Sequence, residues 1–564
     1  MACLYDPRRR SARRFVTIAA GVVVAAALSH SAGIMGLDAA APAVAGDTAA
    51  SPAQSPPSTA DVVRLLEQAT FGPTPALVDH VTQIGIDAFL DEQFSAPMSG
   101  YPALPLYPSR RDATACPSGS TCQRDNYTMY PLQKQFFVNA LYGEDQLRQR
   151  VAFALHQILV VSGVDITLPS WMAPYLQLLH RSAFGSFRQL LYDLTLNPAM
   201  GNYLDVNGNT KTRPNENFAR EVLQLFSIGT IRLNVDGTPL IDSSDGRTVP
   251  TYDQDTIDNF ARVFTGWRLA AAPAPGVPNY IDPMVANPAQ HDTGAKVLLN
   301  GAPLAANRTA QQDLDSAIDN IFNHSNVGPF ISKQLIQHLV TSNPAPEYVA
   351  RVARVFNGES GGGRGDLQAV VRAILLDPEA RGDAKSDASY GHLRHPAQFI
   401  ANALRAFDAR SADRSGPSDG YLNPQSVAMG MDLFRPASVF SYFSPSATAP
   451  GTNGLKGPEF GILSTSTTIS RANFINTMVF SRIATSTNAP AGTSLDFSPL
   501  LPLTTQPPLL VDTLNSQLLH GAMSSEMRTS IINAVSAVAA SNQLKRARTA
   551  VYLVLTSSQY QVER

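Results

Sequence analysis

Residues 197–229 read NPAMGNYLDVNGNTKTRPNENFAREVLQLFSIG, a dense set of hydrogen-bonding side chains running into a regular apolar pattern. Asp205, Asn207, Asn209, Lys211, Asn215, Glu216, Asn217, Arg220 and Glu221 fall within seventeen positions. Phe218, Val222, Leu225 and Phe226 recur at helical spacing and predict one buried side. At about 100° per residue, Asn217, Arg220, Glu221 and Gln224 share the opposite arc. Pro214 suits the first turn of that helix, where a missing N–H costs nothing, and Gly229 suits its far end. The segment reads as a polar loop feeding an amphipathic helix, and an apolar stripe of this kind needs other elements to cover it.

Working outward, helical spacing dominates the chain. Thr59 or Asp61 can cap a first helix carrying Val62, Leu65, Leu66 and Ala69. Thr74-Pro75 opens a second that Gly85 closes, and IDAFLDEQF makes a third. Residues 95–128 are rich in Pro, Ser and Arg and predict a long surface loop. Helices are expected at 131–142 and 145–161, and two more between 170 and 196. The second of these is apolar nearly all round, which marks a core helix and places His156 in a buried setting. Residues 230–250 predict a β-hairpin turning at Asp236-Gly237. Helical spacing resumes at 252–267, then at 311–323, 328–341, 346–356, 366–377, 393–409 and 459–483, with two or three helices between 509 and 557. No βα alternation and no fixed repeat is visible. The expected fold is mainly α: one large multi-helix domain over 59–564, with long loops and a small β-hairpin.

The chain opens with Arg8, Arg9, Arg10, Arg13 and Arg14, followed by an apolar run from Phe15 to Leu28 that is short for a membrane span. Residues 1–45 therefore read as an export signal, with Ala-Val-Ala at 43–45 as one cleavage site, and residues 46–58 as a flexible leader. The location expected is periplasmic or extracellular, with no membrane span once the signal is removed. The whole chain carries a net charge of −2, and residues 1–45 hold five arginines against two aspartates, so what remains is near −5. That balance argues against nucleic acid as a partner. Of three cysteines, Cys3 leaves with the signal; Cys116 and Cys122 then predict one local disulfide in an oxidising compartment.

Three stretches invite chemistry. From Asp205 to Glu216, oxygen-bearing residues stand at positions 1, 3, 5 and 12, as in an EF-hand calcium loop. Thr210 replaces the turn glycine there and Lys211 follows it, so the EF-hand fails; Asp205 stays a candidate ligand for a divalent cation such as calcium. The competing reading has Asn and Asp satisfying backbone groups of the loop. His291-Asp292 with Lys296, in HDTGAK, offers a base, its orienter and a cation, provided that loop folds toward Asp205. Ser360 sits in a Gly-x-Ser-x-Gly pattern, but between two helices rather than after a strand, which argues against a nucleophile elbow. His395 starts a helix, where capping accounts for it.

The blocks ATFGPTP, NPAMGNYLD, NTKTRPNENFAREVLQLFSIG, ARVFTGW, HDTGAK, LRHPAQFIANALRAF and PEFGILSTSTTISRANFIN resemble successive segments of one bacterial family. It is the exported, uncharacterised family catalogued as domain of unknown function 1800, and the likeness runs from about residue 60 to the end of the chain. The resemblance implies a mostly helical exported protein, often encoded beside a second exported family resembling sulfatases and alkaline phosphatases. The family's signature falls on Asp205, Asn209, Lys211, Pro214, Asn215, Glu216, Asn217, Arg220 and Glu221, and on His291, Asp292 and Lys296. Where many members have Trp, this chain has Ala154 two residues before His156, which weakens any shared role for that histidine.

Two functions remain open on these residues. One is a hydrolase or lyase on an envelope or extracellular polymer. In it Glu216 or Glu221 is the general acid/base, His291 and Asp292 complete the catalytic set, and Asn209, Lys211, Asn215, Asn217, Arg220 and Lys296 hold substrate. The other is a non-enzymatic binding or assembly protein working with a co-secreted partner, the polar cluster being a structural hub. Exposure of Asp205, Glu216 and Glu221 separates the two.

Overall fold

Each helix begins and ends where the local chemistry permits. A computed structural model describes residues 57–109, 116–383, 387 and 389–564; the expected export signal at 1–45 and almost all of the expected leader at 46–58 lie outside them. The helix Thr59–Ala69 is capped by Ser58, whose side chain accepts from Asp61 N, rather than by Thr59 or Asp61. Thr74 caps Pro75–Ile84 with Pro75 in its first turn, and Gly85 ends that helix at φ 88°. Ile86–Ser95 follows. Among its described residues the loop beyond it carries the short helix Cys122–Tyr127, and Cys116 and Cys122 form a disulfide.

Gln146–Ile158 is a core helix as its composition requires, with every residue except Arg148 buried. It packs on Pro169–Ser182 and on Val327–Leu339, which in turn lies against Pro346–Phe356, itself packed on Leu367–Leu376. Pro507–Leu519, Ser525–Ser536 and Gln543–Leu555 pack on one another, and the first of them also touches Thr59–Ala69. One apolar cluster runs through all of these, from Val62 to Tyr560. Sheet is minor. Trp267–Arg268 pairs with Val285–Ala286, Lys296–Val297 with Pro303–Leu304, and His392–Leu393 with Val562–Glu563, each antiparallel. The fold is mainly α with small hairpins. The expected hairpin at 230–250 is irregular: Asn234 N bonds Thr238 O across the Asp236-Gly237 turn, and Ile231, Leu233 and Ile241 make isolated bridges without a continuous ladder. Among the described residues no helix is long and apolar enough to cross a membrane.

Buried charge ties the start of this scaffold to its last strand. Arg394 is 1% exposed; its guanidinium lies 2.6 Å from Glu67 and also donates to the carbonyls of Tyr560 and Val562. Glu563, fully buried, faces His392 at 3.4 Å and Arg150 at 3.6 Å. Arg471 donates to Arg394 O and to the Gln561 side chain, both at 2.8 Å. Removing one partner of such a pair strands the other charge in a low dielectric, at a cost of about 3–5 kcal/mol. We therefore expect Glu67→Ala to lower unfolding free energy by about that amount in a urea titration. Glu67→Leu combined with Arg394→Met should recover most of the loss.

Candidate functional site

The signature loop is built against the end of one helix. Pro198–Tyr203 is capped by Asn197 and stops at Leu204, after which Asp205 takes a left-handed conformation at φ 62°. The chain then runs beside Trp267, with Gly208 N donating to Trp267 O at 2.9 Å. Asn209, 5% exposed, is the centre of the arrangement. Its Nδ2 donates to Ala261 O and Phe264 O, both at 3.2 Å, and its Oδ1 accepts from Asn215 N at 2.9 Å. The two carbonyls belong to the last turn of Gln254–Val263 and to its cap, which have no intrahelical donors of their own. One amide thus caps a helix and folds a loop.

Helix formation starts later than Pro214 suggests. The helix is Asn217–Gln224 with Glu216 as its cap residue, and Pro214 lies exposed in the preceding loop. The reason is Asn215, whose Oδ1 accepts from Asn217 N at 2.9 Å and turns the chain before the helix begins. Gly229, at φ 72°, closes the segment with its N–H on Leu223 O. Phe218, Val222 and Phe226 are buried and Leu225 packs partly against the core, as the periodicity implies.

Asp205 receives amide donors on Oδ2, from Asn217 Nδ2 at 2.7 Å and Asn215 Nδ2 at 3.4 Å. Because Asn215 Oδ1 is held by a backbone N–H, its amide presents nitrogen, not oxygen, to Asp205. Around Asp205 stand donors, whereas calcium requires six or more oxygens. Among the described residues no group of three or more His, Cys, Asp or Glu side chains is arranged to hold a metal. Glu216 and Arg220 form an i,i+4 pair at 2.7 Å, each about two-fifths exposed, with Gln254 joined to both. A solvated pair of that kind contributes little to stability. Lys211 is exposed at the loop apex, where its backbone N–H reaches Gln290 O at 2.8 Å.

That last bond brings the second signature stretch alongside the first. Gly266, at φ 80°, makes the approach possible: a Cβ there would lie 2.8 Å from the backbone N and the Cβ of His291. His291 and Asp292 do not act on each other. His291, 2% exposed, donates from Nδ1 to Thr265 O at 2.9 Å and turns Nε2 toward Asp313 at 3.3 Å. Asp292 makes a two-pronged pair with Arg262 at 3.0 and 3.1 Å. Lys296, also buried, lies 2.8 Å from Asp313 and donates to the carbonyls of Asp292 and Gly294. Arg308 completes the cage at 2.6 Å. Burial raises the pKa of Asp313, but hydrogen bonds from His291, Lys296 and Arg308 outweigh it and hold the carboxyl at about 2. Asp313 and Arg308 were not readable as partners, since they reach His291 only through packing; Arg262 was visible inside ARVFTGW.

Glu221 differs from its neighbours. Its Oε2 is sealed from solvent and has no hydrogen-bond partner. Burial pushes its pKa up to about 7, against only a weak pull from the Arg220 charge. Tyr252 nearby is pushed up to about 12, first by burial, with the charge of Glu221 adding to the shift, and its hydroxyl is likewise sealed without a partner. Tyr203 is raised by burial and by the charges of Asp165 and Glu221. Among the described residues no hydrogen bond or ion pair links Glu221 to His291, Asp292 or Lys296. The two halves of the signature meet through backbone, by the bond from Lys211 N to Gln290 O.

The remaining candidates have structural roles. His156, 1% exposed, sits between the hydroxyls of Tyr175 at 3.2 Å and Tyr442 at 3.5 Å, rather than on a carbonyl, and burial lowers its pKa to about 3. His395 caps Pro396–Ala406 by accepting from Gln398 N at 3.2 Å. Ser360 is exposed in the turn between Pro346–Phe356 and Leu367–Leu376.

Residues 64–562 match the model of the family described as protein of unknown function (DUF1800), and the chain belongs to that family. No curated protein and no solved structure matches it.

A carboxyl whose folded pKa is raised destabilises the fold as pH climbs from its unfolded value near 4.3 to about 7, because the unfolded chain ionises first. Glu221→Gln should therefore raise the melting temperature at pH 8 relative to the parent chain and change it little at pH 4. Thermal scans at the two pH values check this; equal shifts at both would remove the burial argument.

Proposed function

We propose that the chain is an exported binding or assembly protein acting with a co-secreted partner, and that the signature cluster is its structural hub. One observation carries this reading. The donors and acceptors of Asp205, Asn209, Asn215, His291, Asp292 and Lys296 are engaged by one another, by Arg262 and Asp313, or by backbone, so few are left to hold a substrate. Export is supported by the basic-then-apolar start of the sequence and by the Cys116–Cys122 disulfide, which suits an oxidising compartment. The partner class that the family resemblance supplies is the sulfatase- or alkaline-phosphatase-like exported protein encoded nearby.

A second reading has one observation in its favour. Glu221, poised near neutrality beside the unpartnered Tyr252 hydroxyl, has the character of a general acid/base in a hydrolase or lyase acting on an envelope polymer.

The hub reading expects Asn209→Ala to unfold at lower temperature, losing about 2–3 kcal/mol as two buried hydrogen bonds that cap a helix and one partly buried bond disappear. It also expects the mature chain and its co-encoded partner to co-elute in size-exclusion chromatography, with Glu221→Gln co-eluting equally well. Absence of a complex, together with a polymer-degrading activity abolished by Glu221→Gln in a folded protein, would replace the hub with the enzyme.

A further inference from the structure

Three histidines stand behind the paired strands His392–Leu393 and Val562–Glu563, and one of them has no neutral form that fits its place. His392 is buried between two buried carboxylates. Its Nε2 lies 3.4 Å from Glu563 Oε1, and its Nδ1 lies 3.8 Å from Glu459 Oε1 and 3.4 Å from Leu393 O. A neutral imidazole carries one N–H and one lone pair. Either tautomer turns that lone pair toward a buried oxygen, which is unfavourable in a low dielectric, so the ring fits with both nitrogens protonated. Burial opposes the charge, but the charge and hydrogen bond of Glu563 and the charge of Glu459 outweigh it, with Arg150 repelling, and hold the pKa of His392 above its usual value. His338 and His395 are the reverse case. Burial, with the charges of Arg150 and His392 added, lowers the pKa of both, and His395 accepts from Gln398 N as a neutral ring can.

The strand that His392 faces is short. Val562–Glu563 is two residues long and pairs with His392–Leu393 in a two-stranded sheet. Gly391, at φ 97°, lets them approach, because a Cβ there would strike Glu563 O. Most of what ties this strand down does not titrate near neutrality. Arg394 N donates to Gln561 O at 2.9 Å and its guanidinium to Tyr560 O and Val562 O, Gln398 donates to Glu563 Oε2, and Arg471 donates to the Gln561 side chain. Glu563 Oε1 is the exception. It is sealed from solvent and accepts no aligned hydrogen bond, so its charge is met across space by His392 at 3.4 Å and Arg150 at 3.6 Å. Taking the proton from His392 removes one of those two cations and leaves a lone pair facing a buried carboxylate.

We propose that the strand Val562–Glu563 is a proton-held latch, docked while His392 carries its second proton and loosened when that proton leaves. A histidine with a raised folded pKa stabilises the docked state fully below its undocked value, about 6.5, and the gain is lost as pH rises through the folded value. The other titratable groups of this region act differently. His338 and His395, neutral when docked, cost stability only below about pH 6.5, where a released chain protonates them. Glu67, pushed by burial up to about 7, lowers stability on the way up to that value and no further. Glu459, also raised by burial, acts in the same sense as His392, so mutation is needed to separate the two. Arg150, Arg394 and Arg471 keep their charge across the neutral range.

Hydrogen exchange read by mass spectrometry on the full chain, at pH 6.5 and pH 9 and corrected for the intrinsic pH dependence of exchange, tests the latch. Peptides covering residues 390–395 and 559–564 should lose about tenfold in protection between the two, while a peptide from the helix Pro346–Phe356 should not change. In His392→Gln the loss should shrink to about twofold or less. In Glu459→Gln, His392 keeps Glu563 but lacks the second carboxylate, so the midpoint of the loss should move to lower pH. If His392→Gln fails to fold, Glu459→Gln and the parent chain still carry the test. Protection unchanged with pH in the parent, an equal loss in His392→Gln, a midpoint unmoved in Glu459→Gln, or a loss shared by Pro346–Phe356 would each overturn the proposal.

Discussion

A guanidinium is costly to remove from water, and Arg394 is removed almost completely. What makes its burial tolerable is that both terminal nitrogens are used: one on Glu67 from the first helix, the other on the carbonyls of Tyr560 and Val562 from the end of the chain. Because these partners lie at opposite ends of the sequence, meeting them draws the first helix and the last strand together. Glu563 repeats the device with His392 and Arg150, so the core helix Gln146–Ile158 is tied into the same knot. The helical layers between are thereby clamped from both ends, and the long loops that carry the family signature start from a rigid base.

The same principle recurs in the signature itself. Asn209 meets carbonyls that the end of Gln254–Val263 cannot satisfy internally, and Asp313 meets the Lys296 and Arg308 cations, which would otherwise be stranded, with the His291 ring beside them. Polar density here reflects the hydrogen-bonding needs of irregular backbone in a helical protein: each loop that crosses the scaffold needs side chains to finish its bonds. Glu221 does not follow that rule, and neither does Ser170. A sealed carboxyl oxygen beside a sealed phenol, and a sealed hydroxyl above a proline that removes a helical donor, are places where the fold left demands open.

Much of the architecture was legible because it is local. Thr74-Pro75 and Gly85 bound their helix as written, Pro346–Phe356 coincides with its expected span, and His395 is a cap. The errors are also local in origin. Pro214 looked like a first-turn proline until Asn215 was seen to bend the chain ahead of Asn217, and Ser58 displaced Thr59 because its oxygen reaches Asp61 N. The His291-Asp292 pair misled for another reason. Adjacent side chains in extended backbone point apart, so sequence neighbours here have different partners, Asp313 and Arg262.

By itself the sequence determined the helical class, the disulfide, the membership of one family and the list of residues crowded around position 209, since periodicity, spacing and composition act over a few residues. Which of those residues are engaged and which are free was decided only in three dimensions. Burial of Glu221 and the cage around Asp313 depend on which distant segments arrive beside them. Desolvation and hydrogen-bond satisfaction are properties of a surrounding volume, and no window of sequence contains that volume.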